Sequence, residues 1–194
     1  RDELVRIVRE AYAVVQKLNA TAQEGRILRD GARVVILGRP NVGKSSLLNR
    51  LLREERAIVT AIPGTTRDVI EESIDLDGVM IRLVDTAGVR DTDDIVEQEG
   101  IKRTRAAQDE ADLLLVVVDG SVPLTSDDRK LLSAVRDRKH VVVLNKADLA
   151  DTVVTDTALA GHQVFVISAM TGLGVEMVKS ALRAQLLSGG FEAA

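Results

Sequence analysis

Residues Gly38-Arg39-Pro40-Asn41-Val42-Gly43-Lys44-Ser45 match the phosphate-loop pattern G-x-x-x-x-G-K-S/T at every fixed position. Such a loop cradles a polyphosphate. Gly38 and Gly43 permit tight backbone wrapping that a side chain would obstruct. Backbone N–H groups and the positive end of the following helix then converge on one anion. Asn41, Val42, Gly43, Lys44, Ser45 and Ser46 are the expected nucleotide contacts, with Lys44 on the outer phosphates and the Ser45 hydroxyl on Mg²⁺. The plainer alternative is a glycine-rich turn ahead of a capped helix.

Three more stretches carry chemistry. Asp85-Thr86-Ala87-Gly88 follows an apolar run, and an acid placed there can hold Mg²⁺ through water. Gly88 lets its N–H approach a terminal phosphate closely. Asn145-Lys146-Ala147-Asp148 follows another apolar run. A carboxylate at Asp148 can accept both the N1–H and the 2-amino hydrogens of guanine, a donor pair that adenine lacks. Asn145 is expected to brace the neighbouring loop, and the aliphatic stem of Lys146 to lie along the base. Ser168-Ala169 would offer backbone N–H groups to the base oxygen.

The elements that must position these residues alternate. Strands are predicted over 33–38, 69–76, 79–85, 112–118, 140–144 and 163–167, and helices near 45–53, 95–109, 125–138 and 173–187. Asp77-Gly78 between the second and third strands is a short hairpin signal, so those two are expected to be antiparallel. The remaining alternation predicts an α/β fold with a mainly parallel sheet covered on both faces. Ligands of such sheets bind beyond the carboxyl ends of the strands, where each stretch above falls.

Ahead of this pattern, Leu4, Ile7, Val8, Ala11, Val14, Val15 and Leu18 recur at helical spacing within residues 1–24. That apolar face needs a partner, either outside this chain or on the main domain. Gly25 to Gly31 reads as a connector, with Gly31 as the break before the first strand. With 194 residues there is room for one well-buried domain and an appendage. A net charge of −4 argues against a strongly basic nucleic-acid surface. The absence of cysteine excludes disulfides and thiolate metal sites. No apolar run approaches the roughly 18 residues of a membrane span. The sequence opens Arg1-Asp2-Glu3, which suggests a fragment or processed form, and the default compartment is the cytoplasm.

Taken in order, these stretches resemble the translation-factor-related class of regulatory GTPases. Residues 38–49, G-R-P-N-V-G-K-S-S-L-L-N, are especially similar to the tRNA-modification GTPase family MnmE (TrmE) and to ribosome-assembly GTPases of the Era/Der type. Gly25–Gly31, Ala57–Asp68 and Asp94–Ile101 favour MnmE. The resemblance implies a three-layer P-loop NTPase of the Ras-like G-domain kind, with a six-stranded sheet carrying one antiparallel strand, preceded by an N-terminal helix. Residues 1–30 would be a fragment of a helical domain, 31–188 the G domain and 189–194 a frayed tail.

It also implies roles. Thr66 would ligate Mg²⁺ beside Ser45 and Asp85, and would join Lys44 and Glu97 in catalysis. Val89 stands where Ras-like enzymes place a water-orienting glutamine, and its side chain can neither donate nor accept a hydrogen bond. Asn41 resembles the asparagine that binds a catalytic K⁺, with Thr60, Ile62 and Thr65 in the loop that closes over it. Glu97 aligns with the glutamate that orients the attacking water. GTP/GDP, Mg²⁺ and K⁺ are thus the expected ligands. The expected partners are a second G domain and, in the complete protein, a flavoprotein of the MnmG type and tRNA. The family's folate-binding domain and C-terminal helical half have no counterpart in the sequence. Competing readings are an Era/Der-type ribosome-assembly GTPase and a non-hydrolysing nucleotide-binding scaffold.

Overall fold

The computed structural model describes residues 2–55, 71–85, 109–149 and 154–187. Its centre is a six-stranded sheet in the order β2-β3-β1-β4-β5-β6. The strands are β1 (Ala32–Leu37), β2 (Glu71–Leu76), β3 (Val79–Asp85), β4 (Leu113–Asp119), β5 (His140–Asn145) and β6 (Val164–Val166). All neighbours run parallel except β2 and β3, whose antiparallel register pairs Leu76 with Val79. Asp77 (φ 50°) and Gly78 (φ 85°) make the tight turn between them, and Asp75 accepts from the Gly78 N–H at 2.7 Å. Two consecutive positive φ values match the right-handed twist of the flanking strands. The expected sheet, with its one antiparallel strand, is the observed one.

Side-chain alternation sends each strand's residues to two faces. Val34, Ile36, Leu113, Leu115, Val117, Val141 and Val143 face α2 (Lys44–Glu55) and α4 (Val175–Leu186). Val35, Leu37, Leu114, Val116, Val118, Val142 and Leu144 face α3 (Ser126–Val135) and the short helix Thr157–Leu159. Burial on both faces explains why β4 and β5 read as unbroken apolar runs. Five parallel strands sharing one direction bring their carboxyl ends, and the loops beyond them, to one edge.

The first helix differs from its expected bounds. α1 spans Asp2–Asp30, so the predicted connector from Gly25 is helical up to Gly31, whose φ of 85° ends it. A glycine inside a helix costs about 1 kcal/mol relative to alanine, which is why Gly25 reads as a break. The last turns offset that cost by burying Ile27 in the core. Arg26 bonds Asp112, and Arg82 donates to the Asp30 carbonyl at 3.1 Å. Further up, Ile7, Val8, Tyr12, Val14, Val15 and Leu18 are exposed, so the apolar face does not pack on the sheet. No described helix is long and apolar enough to cross a membrane. Residues 95–108 of the helix predicted over 95–109, the tail 189–194 and residues 69–70 lie outside the described residues.

Candidate nucleotide-binding site

The phosphate loop leaves the end of β1 and enters α2 at Lys44. Gly38 (φ 148°), Asn41 (φ 64°) and Gly43 (φ 97°) bend it through conformations that few L residues adopt. Space is as restrictive as torsion. A Cβ on Gly38 would lie 2.2 Å from the Val117 carbonyl oxygen, and one on Gly43 2.2 Å from Asn145 Nδ2. Lys44 is buried, and its Nζ donates to the carbonyls of Gly38 (3.0 Å) and Arg39 (2.7 Å). The ammonium therefore sits inside the curl of the loop. The first turn of α2 holds no acidic residue, so nothing on the helix neutralises its positive end. Ser45 and Ser46 are exposed there. A glycine cradle, an enclosed ammonium and an uncompensated helix start fit a polyphosphate with Mg²⁺ on Ser45.

Two anchors hold the loop. On one side Asn145, 2% exposed, donates from Nδ2 to the Val42 carbonyl at 2.9 Å and accepts at Oδ1 from the Ala169 N–H at 2.9 Å. One amide thus ties together the phosphate loop, the Asn145–Asp148 turn and the Ser168-Ala169 turn, as expected of a brace. On the other side Arg39 donates from Nε to Asp128 Oδ1 at 2.8 Å. The other oxygen of Asp128 accepts from the Thr125 N–H (2.9 Å) and hydroxyl (2.7 Å), in a capping box at the start of α3. Burial works to raise the Asp128 carboxyl, and the bonds from Arg39 and Thr125 outweigh it, holding it below its ordinary value.

The base side lies at the ends of β5 and β6. Asp148 is exposed and Lys146 stands at φ 69°. Lys146 Nζ donates to Asp119 Oδ2 at 2.6 Å. The Ser168-Ala169 pair closes this side of the site. Its two N–H groups point inward, from Ser168 to the Leu173 carbonyl at 3.0 Å and from Ala169 to Asn145. Both residues are buried, where an unmatched amide is costly, and these bonds make the pair part of the brace. Arg50 of α2 holds the same turn from below, with Nε 3.2 Å from the Ala169 carbonyl and a second bond to that of Met170.

Asp85 ends β3, and its backbone is in register with Ile36 of β1, the strand that feeds the phosphate loop. Thr60, Ile62, Thr65, Thr66, Gly88, Val89 and Glu97 lie outside the described residues. Sequence reasoning missed Asp119, Asp128, Arg39 and Arg50. Of these only Asp119 had a local signal, since it is an acid at the carboxyl end of an apolar strand like the stretches that were singled out.

Comparison with known proteins agrees with this geometry. The sequence family described as 50S ribosome-binding GTPase matches residues 33–146. The tRNA modification GTPase MnmE of Geobacter metallireducens is 48% identical over 182 residues, 94% of this chain and 40% of that protein. Its Streptococcus thermophilus counterpart is 54% identical over 147 residues, 76% of this chain and 32% of that protein. The chain thus spans well under half the length of these relatives. Among solved structures, Era in complex with MgGDPNP and nucleotides 1506–1542 of 16S ribosomal RNA superposes with a TM-score of 0.61. That match has 27% identity, covering 78% of this chain and 56% of that one. Aquifex aeolicus Era bound to GDP·AlF4⁻ gives a TM-score of 0.60 at 23% identity, covering 84% of this chain and 58% of that one, a likeness of fold.

Proposed function

The chain belongs to the 50S ribosome-binding GTPase family and to the MnmE group of tRNA modification GTPases, and from this premise we propose that it is the potassium-stimulated switch of an enzyme that modifies the wobble uridine of tRNA. The similarity to MnmE over 94% of the chain is the observation that carries the reading. GTP hydrolysis belongs to the family.

Lys44 and the loop amides from Asn41 to Ser46 bind the phosphates, and Asp148 reads the base by accepting from N1–H and the 2-amino group. Ser45, Thr66 and Asp85 hold Mg²⁺. Asn41, exposed and left-handed within the loop, ligates K⁺ together with Thr60, Ile62 and Thr65. A monovalent cation there supplies positive charge against the transferring phosphoryl group. Glu97 orients the attacking water, a task that Val89 cannot perform. Two such domains pair across the nucleotide face when K⁺ and a triphosphate are bound. The complete protein works in the cytoplasm with an MnmG-type flavoprotein on tRNA.

The test is the steady-state GTP hydrolysis rate in K⁺ against Na⁺ at equal ionic strength, with association followed by light scattering. A rate at least about tenfold higher in K⁺, about 1.4 kcal/mol of barrier, is expected. Equal rates and a monomer in both salts sink the potassium reading.

A further inference from the structure

We propose that Asp119 is a positioning residue for guanine recognition, fixing Lys146 so that its stem forms a ready-made platform for the base beside Asp148. The inference rests on the reading of Asp148 and Lys146 as the base-contacting pair.

The arrangement around Asp119 is specific. It ends β4 directly beside Asn145 in the β4–β5 register. Its Oδ2 accepts from Lys146 Nζ at 2.6 Å, while its Oδ1 accepts from the Ser121 N–H at 3.0 Å and hydroxyl at 2.5 Å. The carboxylate is therefore held by its own turn before it holds the lysine. Its side chain is 14% exposed and that of Lys146 28%. The next residue, Gly120, donates its N–H to the Asn145 carbonyl at 2.7 Å, and a Cβ there would come within 2.9 Å of that oxygen. Asp119-Gly120-Ser121 thus grips the Asn145-Lys146 turn at both its backbone and its side chain.

Lys146 needs such a grip. Its φ of 69° is a conformation that non-glycine residues adopt only when their surroundings over-determine it. A lysine stem has four rotatable carbons, and ordering it when a ligand arrives would weaken binding. The ion pair orders it beforehand. It also neutralises the ammonium, so the stem meets the base as an apolar surface. Burial works to raise the Asp119 carboxyl, and the bonds from Lys146 and Ser121 reverse this, so the carboxylate stays charged at neutral pH.

The experiment is a double-mutant cycle with GTP hydrolysis and GDP titration as readouts. Asp119→Asn is expected to raise KM for GTP and Kd for GDP about tenfold, the equivalent of one charge-assisted hydrogen bond, with kcat at saturation unchanged. In a Lys146→Met background the same substitution is expected to move both constants by no more than about twofold, because Asp119 acts through Lys146. An undiminished effect in that background, or a fall in kcat at constant KM, overturns the proposal. Should Asp119→Asn fail to fold, Ser121→Ala removes one donor from the same carboxylate and is expected to raise KM about threefold, one weak hydrogen bond's worth. No change there overturns the proposal as well. Asp148→Asn reports on the underlying reading alone. A shift of preference from guanine to xanthine upholds that reading, and an unchanged preference removes it whatever Asp119 does.

Discussion

Arg39 and Asp128 join the phosphate loop to the first turn of α3, Nε to Oδ1 at 2.8 Å, with the carboxylate 1% exposed. The folded Asp128 carboxyl titrates below its unfolded value. Its contribution to stability is therefore complete above the unfolded value of about 4 and is lost as pH falls through the folded one. Asp128→Asn is expected to flatten the acid limb of stability while lowering stability at pH 7 by about 1–3 kcal/mol. Urea unfolding from pH 3 to 7 measures both, and parallel acid limbs in the two proteins disprove the linkage.

Asn145 bonds both the phosphate loop and the Ala169 turn. Asn145→Ala strands a buried carbonyl and a buried N–H, so a loss of about 2–4 kcal/mol is expected together with weakened nucleotide binding. Gly43→Ala drives a methyl into the same amide and is expected to abolish GDP binding in a titration. Wild-type affinity in either variant disproves the two-sided brace.

The two histidines of the chain meet at the opposite edge of the sheet, His140 Nε2 to His162 Nδ1 at 2.6 Å. Burial, followed by His140 and Arg136, holds the His162 imidazolium below its ordinary value. The unfolded chain therefore takes up this proton first. Stability is complete above about 6.5 and falls as pH drops toward the folded value. The melting temperature is expected to decline between pH 7.5 and 5.5, and His162→Gln to flatten that decline. An identical slope in the variant rules out His162 as its source.

Glu97→Ala is expected to slow GTP hydrolysis by roughly 10²-fold or more, the usual weight of a group that positions or activates water. GTP affinity should stay within about twofold, since the residue is assigned no ground-state contact. A collapse of affinity in a titration with a non-hydrolysable analogue makes Glu97 structural instead.

Much of this fold is legible because its signals are local. Asp77-Gly78 specifies a turn by itself, and Val141–Leu144 reads as a buried strand without knowledge of its neighbours. The site is legible as far as each stretch carries its own chemistry. What the sequence does not disclose is who holds whom. Arg39 and Asp128 are 89 residues apart, and Lys146 and Asp119 are 27 apart. No periodicity links such pairs, and only the sheet order brings them together. The same blindness makes Gly25 look like a helix end, because the burial of Ile27 that carries the helix past it is tertiary.

The latch at the base of α1 has a mechanical consequence. Its 29 residues make a rod about 43 Å long. The Arg26–Asp112 pair, the Arg82 bond and the buried Ile27 sit in its last two turns. The rod is a lever with its fulcrum at one end, and a tilt of about ten degrees there sweeps the far tip through about 7 Å. Asp112, which also accepts the Arg33 N–H at 2.8 Å, immediately precedes β4, and the far end of that strand is Asp119. Strand β4, buried from Leu113 to Val118, therefore runs from the fulcrum to Asp119 and the Lys146 ammonium that it holds.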